Sequence, residues 1–202
     1  MGKYQNIMIN SWVWGSYDGI HPGHTLFFRE AILKVMILYG ELDIKLNVAV
    51  VPDEVIKANK KRDPFFTHQE RKRFIELLPY IDRVFIDSYE SGLESLYIVR
   101  PQVICFGPDQ KTRWDRLIEQ KARDIGAMAI RIDYTTTASS SSIIKIHKKN
   151  RKELEDIVRR TIDYETANYM LFRQHISYVH QTLEYAREID PQTATFLKSC
   201  SV

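Results

Sequence analysis

Two histidines separated by a proline and a glycine carry the chemistry written most plainly in this chain. They stand in the run Gly15-Ser16-Tyr17-Asp18-Gly19-Ile20-His21-Pro22-Gly23-His24. An apolar, β-favouring stretch from Ile7 to Trp14 precedes the run, and Thr25 to Tyr39 follows it with Leu26, Phe27, Ala31, Ile32, Val35 and Leu38 at helical spacing. Strand, glycine-bearing turn and helix in that order make an anion site. The helix start is the positive end of its dipole, its first N–H groups are expected to point outward, and Gly23 lets an oxyanion approach the main chain. Imidazoles at such a turn can donate to phosphate oxygens near neutral pH. No Cys or third His stands at ligand spacing, so phosphate is favoured over a protein-held metal.

Further groups suit the same anion. The basic run Lys57-Ala58-Asn59-Lys60-Lys61-Arg62 reads by default as a solvated loop, but a lysine held between two phosphorylated reactants would offset their repulsion. Arg71 lies in the first turn of a helix that Thr67-His68-Gln69-Glu70 opens with capping-box spacing, and a guanidinium there can fork two phosphate oxygens. Gly107-Pro108-Asp109 follows an apolar run, where a carboxylate can accept from ribose hydroxyls. Ser139, Ser140 and Ser141 precede Ile143, Ile144 and Ile146, which places hydroxyls at a helix start suited to β- and γ-phosphates. Asp18 is read as orienting the motif turn, and Trp12, Trp14 and Trp114 as packing groups.

The elements that must position these groups alternate. Strands are expected over Ile7–Trp14, Ile44–Val51, Arg83–Asp87, Gln102–Phe106 and Ala127–Ile132, with helical patterns between most of them. That alternation predicts an α/β fold, a Rossmann-like parallel sheet with helices on both faces. Gly40 and Gly126 stop helices before the next strand. Ligands of open parallel sheets sit beyond the carboxyl ends of the strands where strand order reverses, and the histidine turn, Asp53 and Gly107 all fall at that edge. From about Lys148 the sequence becomes helix-rich, and two helices ending before Pro191 are expected. The division is therefore a domain over 1–147 and a helical C-terminal extension over 148–202. That extension is expected to pack on the sheet, build a subunit interface or cover a pocket.

Composition sets outer bounds. With 202 residues, 44% of them hydrophobic and 27% charged, one sizeable core is within reach. A net charge of +3 is too small to call for nucleic acid or a membrane surface. Cys105 and Cys200 are the two cysteines, so a disulfide framework is not suggested and a cytoplasmic location is expected. The first residues lack the apolar core of a secretory signal, and no stretch has the length of a membrane span.

On four blocks the chain resembles the HxGH nucleotidyltransferase superfamily, in its cytidylyltransferase-like branch. That branch holds glycerol-3-phosphate, choline-phosphate and ethanolamine-phosphate cytidylyltransferases and the adenylyltransferase domain of ADP-heptose synthase. The blocks are the histidine motif; Val48 to Asp53 with Lys60, Lys61, Pro64, Glu70 and Arg71; Gly107-Pro108-Asp109; and Ser139 to Ile144. The resemblance implies nucleotidyl transfer from CTP or ATP, with Mg2+, onto a polyol, amino-alcohol or sugar phosphate, releasing pyrophosphate. It implies catalytic roles for His21, His24, Lys60 and Arg71, with Lys61 the alternative to Lys60. It implies nucleotide binding by Gly15, Ser16, Tyr17, Gly23, Gly107, Asp109, Ser139, Ser140 and Ser141. A homodimer is the expected assembly. CTP is the modest favourite, although Tyr134-Thr135-Thr136-Thr137 stands where many cytidylyltransferases carry Arg-Thr-x-Gly, which leaves an ATP-using adenylyltransferase open. Class I aminoacyl-tRNA synthetases share the phosphate turn, but the chain is short and has no Lys-Met-Ser-Lys-Ser-like loop. A non-catalytic nucleotide-binding module is the alternative from another class.

Overall fold

The computed structural model describes residues 7–40, 42–88, 90–108, 110, 113–133 and 150–189. Strand β1 (Ile9–Gly15) feeds helix α1 (Pro22–Tyr39), and β2 (Ile44–Val50) is followed by α2 (Asp53–Lys60) and α3 (His68–Glu76). Then come β3 (Ile81–Ile86), α4 (Glu94–Val99), β4 (Val103–Phe106), α5 (Arg113–Asp124), β5 (Met128–Arg131) and the long α6 (Arg151–Ile189). The strands form one parallel sheet in the order β3-β2-β1-β4-β5. Strand order reverses between β1 and β4, so the crevice beyond their carboxyl ends opens between Gly15 and Gly107.

Alternation along each strand sends side chains to two cores. Val13, Val48, Val50 and Cys105 face α1 and α3, where Phe28, Ala31, Val35 and Ile75 are buried with them. Trp12, Ala49, Ile104 and Phe106 face α4 and α5, against Leu96, Ile118 and Ala122. Helices therefore cover both faces, as expected from the sequence. Helix α6 adds a further layer outside α1, with Ile162, Phe172 and Ile176 packed against the first core.

Two expectations change. Helix α1 starts at Pro22 instead of Thr25: His21 is its N-cap and proline suits the first helical position, so His24 lies inside the first turn. The two C-terminal helices are one. No glycine or proline interrupts Arg151 to Ile189, and the polar break at Arg173-Gln174-His175 is only the exposed side of a continuous helix.

Candidate active site

The motif turn is built on two close approaches. Tyr17 has φ +45° and folds its ring back over β1, so that a Cβ on residue 15 would stand 2.8 Å from the ring; Gly15 is required. The buried Tyr17 ring meets the His24 ring edge-on at 5.2 Å. His21 and His24 stack, with centroids 3.9 Å apart and planes 29° from parallel. Tyr17 therefore backs the histidine pair from inside the core.

His21 Nδ1 accepts a hydrogen bond from the Gly23 N–H at 3.1 Å. In the neutral ring this leaves the proton on Nε2, the donor that a phosphate oxygen requires. Burial holds the ring neutral by lowering its pKa from 6.5 to about 4. For His24 burial is again the largest cause, and the neighbouring His21 and the Lys60 charge push its pKa further down, against a hydrogen bond with the Gly19 carbonyl. The pair is thus two neutral imidazoles at pH 7.

The helix start itself is less open than the sequence implied. Pro22 has no N–H, the Gly23 N–H is taken by His21 Nδ1, and the His24 and Thr25 N–H groups bond to the His21 carbonyl at 2.9 and 3.3 Å. Side chains and the helix dipole, rather than unbonded first-turn amides, are what this turn presents to an anion.

Lys60, the last residue of α2, places Nζ 3.0 Å from Ser16 Oγ in the motif turn. Lys61 is instead the left-handed C-cap of α2, with φ +52°. The rest of the basic run is not a plain solvated loop. Arg62 pairs with the buried Asp18 at 2.7 Å, while the other Asp18 oxygen accepts the N–H groups of Phe65 and Phe66 at 2.9 and 3.2 Å. Asp18 therefore ties the loop that follows Lys60 to the histidine turn, the orienting role expected of it.

Arg71 is fully buried in α3. Its guanidinium donates to the carbonyls of Ser16, Phe66 and Val51 and to Asp53 Oδ1, the last at 2.6 Å. One side chain so joins the chain ends after β1 and β2 to the lysine loop. The phosphate fork expected for Arg71 is not the arrangement seen; burial and the prior claim of those oxygens make it a clamp behind the site.

Across the crevice, Gly107 is held by two residues that the sequence did not single out. Gln110 accepts from the Gly107 N–H at 2.5 Å and donates to the Trp14 carbonyl at 3.1 Å, bridging β4 and β1 at the switch point. Arg131 donates to the carbonyls of Gly107 and Gln110, each at 2.7 Å. A glutamine three residues after a strand-ending glycine was the available signal for the first; the second had none. Asp109 and Ser139, Ser140 and Ser141 lie outside the described residues. Trp12 is buried, with its indole N–H on Ser95 at 3.0 Å, a packing role as expected.

Among the described residues no three His, Cys, Asp or Glu side chains gather to hold a metal ion. The nearby carboxylates face cationic side chains, Asp18 as above and Asp53 through Oδ1 to Arg71, with His68 Nδ1 3.3 Å from Asp53 Oδ2. These residues do not fit a protein-held Mg2+. The described residues also include no helix long and apolar enough to cross a membrane.

Comparison with known proteins bears on the whole arrangement. Residues 12–146 match the family model described as cytidylyltransferase-like. The chain is 33% identical over 138 residues to the FAD synthase of Methanothermobacter thermautotrophicus, covering 68% of this chain and 87% of that protein. It is 28% identical over 153 residues to the FAD synthase of Thermococcus kodakarensis, covering 75% and 90%. A likeness of fold links it to the lipopolysaccharide core biosynthesis protein of Thermoplasma volcanium, with TM-score 0.51 and 24% identity over 64% of this chain and 99% of that one. On the family match, the relatives and the parallel sheet with its histidine turn at the switch point, the chain belongs to the cytidylyltransferase-like family and is a nucleotidyltransferase.

Proposed function

We propose that the chain is an adenylyltransferase that joins the AMP moiety of ATP to riboflavin 5′-phosphate, forming FAD and pyrophosphate. The observation that carries this reading is the set of relatives named FAD synthase, which match from 83% to 97% of their own length. FAD is AMP linked through a diphosphate to riboflavin 5′-phosphate, so making it by nucleotidyl transfer takes ATP. The preference for CTP and a polyol phosphate gains no support from these relatives.

A terminal oxygen of the flavin phosphate attacks the α-phosphorus in line; the new P–O bond forms as the bond to the β-phosphate bridge breaks and pyrophosphate leaves. The protein's part is positioning and charge. Neutral His21, with its proton on Nε2, donates to the phosphoryl group without setting a charge against the neutral His24 ring stacked on it. Lys60, at the end of a loop clamped by Asp18 and Arg71, brings a positive charge between two anionic reactants. The Trp14 carbonyl and Gly107 N–H, which an amide bridges here, are an acceptor and a donor suited to a base edge that pairs an amino group with a ring nitrogen.

The test is product formation from ATP or CTP with riboflavin 5′-phosphate or glycerol 3-phosphate, read by chromatography and pyrophosphate release. FAD from ATP is expected, with little product from the other combinations. A CDP-linked alcohol as the dominant product, with no FAD, would overturn the reading.

A further inference from the structure

Helix α6 lies beyond the family match, which ends at residue 146, and among the described residues one side of it packs on the rest of the chain. Leu154, Val158, Thr161, Glu165 and Leu183 are buried toward the rest of the chain. On the opposite side Tyr164, Leu171, Tyr178 and Tyr185 recur at every seventh residue, with Ala167, Gln174 and Gln181 at the intervening third positions. All seven are exposed, and none carries a charge. This is a seam with the 3-4 spacing of a two-helix coiled coil, three heptads long, on a solvent-facing surface that ordinarily carries Lys, Arg and Glu.

We propose that this seam pairs with the same seam of a second copy of the chain, antiparallel, making α6 the dimer helix of the protein. The sizes along the seam support that direction. In an antiparallel pairing, Tyr178 of one copy faces Ala167 of the other, Leu171 faces Gln174 and Tyr164 faces Gln181, so each bulky group meets a smaller or hydrogen-bonding one. Tyr185 then faces Arg160, a cation over an aromatic ring, with Glu184 beside that arginine. A parallel pairing would set each tyrosine against its own copy and alanine against alanine.

The area is sufficient. Tyr164, Leu171, Tyr178 and Tyr185 are 60%, 63%, 69% and 65% exposed, and Met170, at the edge of the stripe, is 64% exposed. Covering these five removes about 600 Å² per copy, or about 1,200 Å² in the pair, the lower edge of stable, specific interfaces. The face of α6 that packs on the rest of the chain lies opposite the seam, so the sheet domains sit on the outer sides of the two paired helices.

Sedimentation of the full chain at micromolar concentration, beside Leu171→Glu/Tyr178→Glu, tests the pairing, with circular dichroism as the fold control. The expected result is a wild-type dimer and a folded, monomeric variant. A monomeric wild type, or a variant that stays dimeric, would overturn it. Direction is read separately by cross-linking in a Cys200→Ser background, which removes the other cysteine while Cys105 is buried. Residues 167 and 178 lie about 16 Å apart along the helix, too far for a disulfide between like positions of an antiparallel pair. Ala167→Cys and Tyr178→Cys should therefore each fail to cross-link alone and cross-link when mixed. Self-cross-linking of Ala167→Cys would establish a parallel pair and refute the arrangement.

Discussion

His21 and His24 show how one cap sets a chemical state. The Gly23 N–H fixes the His21 tautomer, and burial fixes its neutrality. The unfolded chain protonates His21 near pH 6.5 and the folded chain only near 4, so between those values the unfolded state binds more protons and stability falls as pH falls. Above pH 6.5 the ring is neutral in both states and contributes nothing to this slope. The loss reaches about 3 kcal/mol at the acid end of the window. Urea midpoints measured from pH 7 to 4.5 should drop more steeply for wild type than for His21→Asn/His24→Asn. Superimposable slopes would mean that the rings are not held neutral by the fold. Charge placement makes a second prediction, for the lysine loop. Lys60→Ala should lower kcat by about two to three orders of magnitude, the scale for losing one transition-state contact, whereas Lys61→Ala should remain close to wild type. Arg62→Ala should instead cost about 1–3 kcal/mol of stability, because it leaves a buried Asp18 oxygen short of its partner. Kinetics and denaturation of the three proteins separate these outcomes.

At the scale of elements, the lysine loop is held at both ends. The capping box of Thr67 and Glu70, legible as Thr-x-x-Glu, starts α3 and so delivers Arg71 to its three carbonyls. From the other side α6 reaches the same loop: Leu154 and Val158 bury the Phe66 ring, and Arg151 donates to the Phe65 carbonyl at 3.1 Å and pairs with Glu70. The exposed Arg151 pair contributes little to stability, so the apolar contact carries the coupling. Leu154→Ala should cost about 2–5 kcal/mol, the range for truncating a buried leucine. If the helix positions the loop, turnover at 25 °C, where the variant is still folded, should fall with it. A destabilised variant with full turnover would show that α6 stabilises the chain without ordering the lysine loop.

The whole molecule is a frame that converges on one edge of a sheet. Ends of β1, β2 and β4 meet at the candidate site, and on the proposed function the reactants bridge them. A ligand that bridges separate chain ends binds only the folded state, so saturation at 100 times Kd should stabilise by about 2.7 kcal/mol, or about 5–10 °C in Tm for a chain of this size. ATP should give that shift and CTP a smaller one. Equal shifts for both would remove base selectivity from the crevice and leave selection to turnover.

Local sequence is enough to place the parallel sheet, its helical cover and the sheet edge at which the histidine turn lies. Hydrophobic periodicity places strands and helices, and a glycine-bearing turn between a strand and a helix can face only the carboxyl edge of a parallel sheet. The motif residues are local, so spacing alone singles out His21 and His24, which the fold stacks on each other, and Lys60, which it brings to the motif turn. What each group touches depends on segments far apart in the chain. Arg71 has the sequence signature of a phosphate fork, and only the approach of three carbonyls from separate loops turns it into a clamp. Gln110 and Arg131 gain their places because β1, β4 and β5 lie side by side, a fact of sheet order that no window of sequence contains. Helix α6 divides the same way: its apolar spacing is written in the chain, but which stripe faces the sheet and which faces water depends on the direction from which it crosses α1.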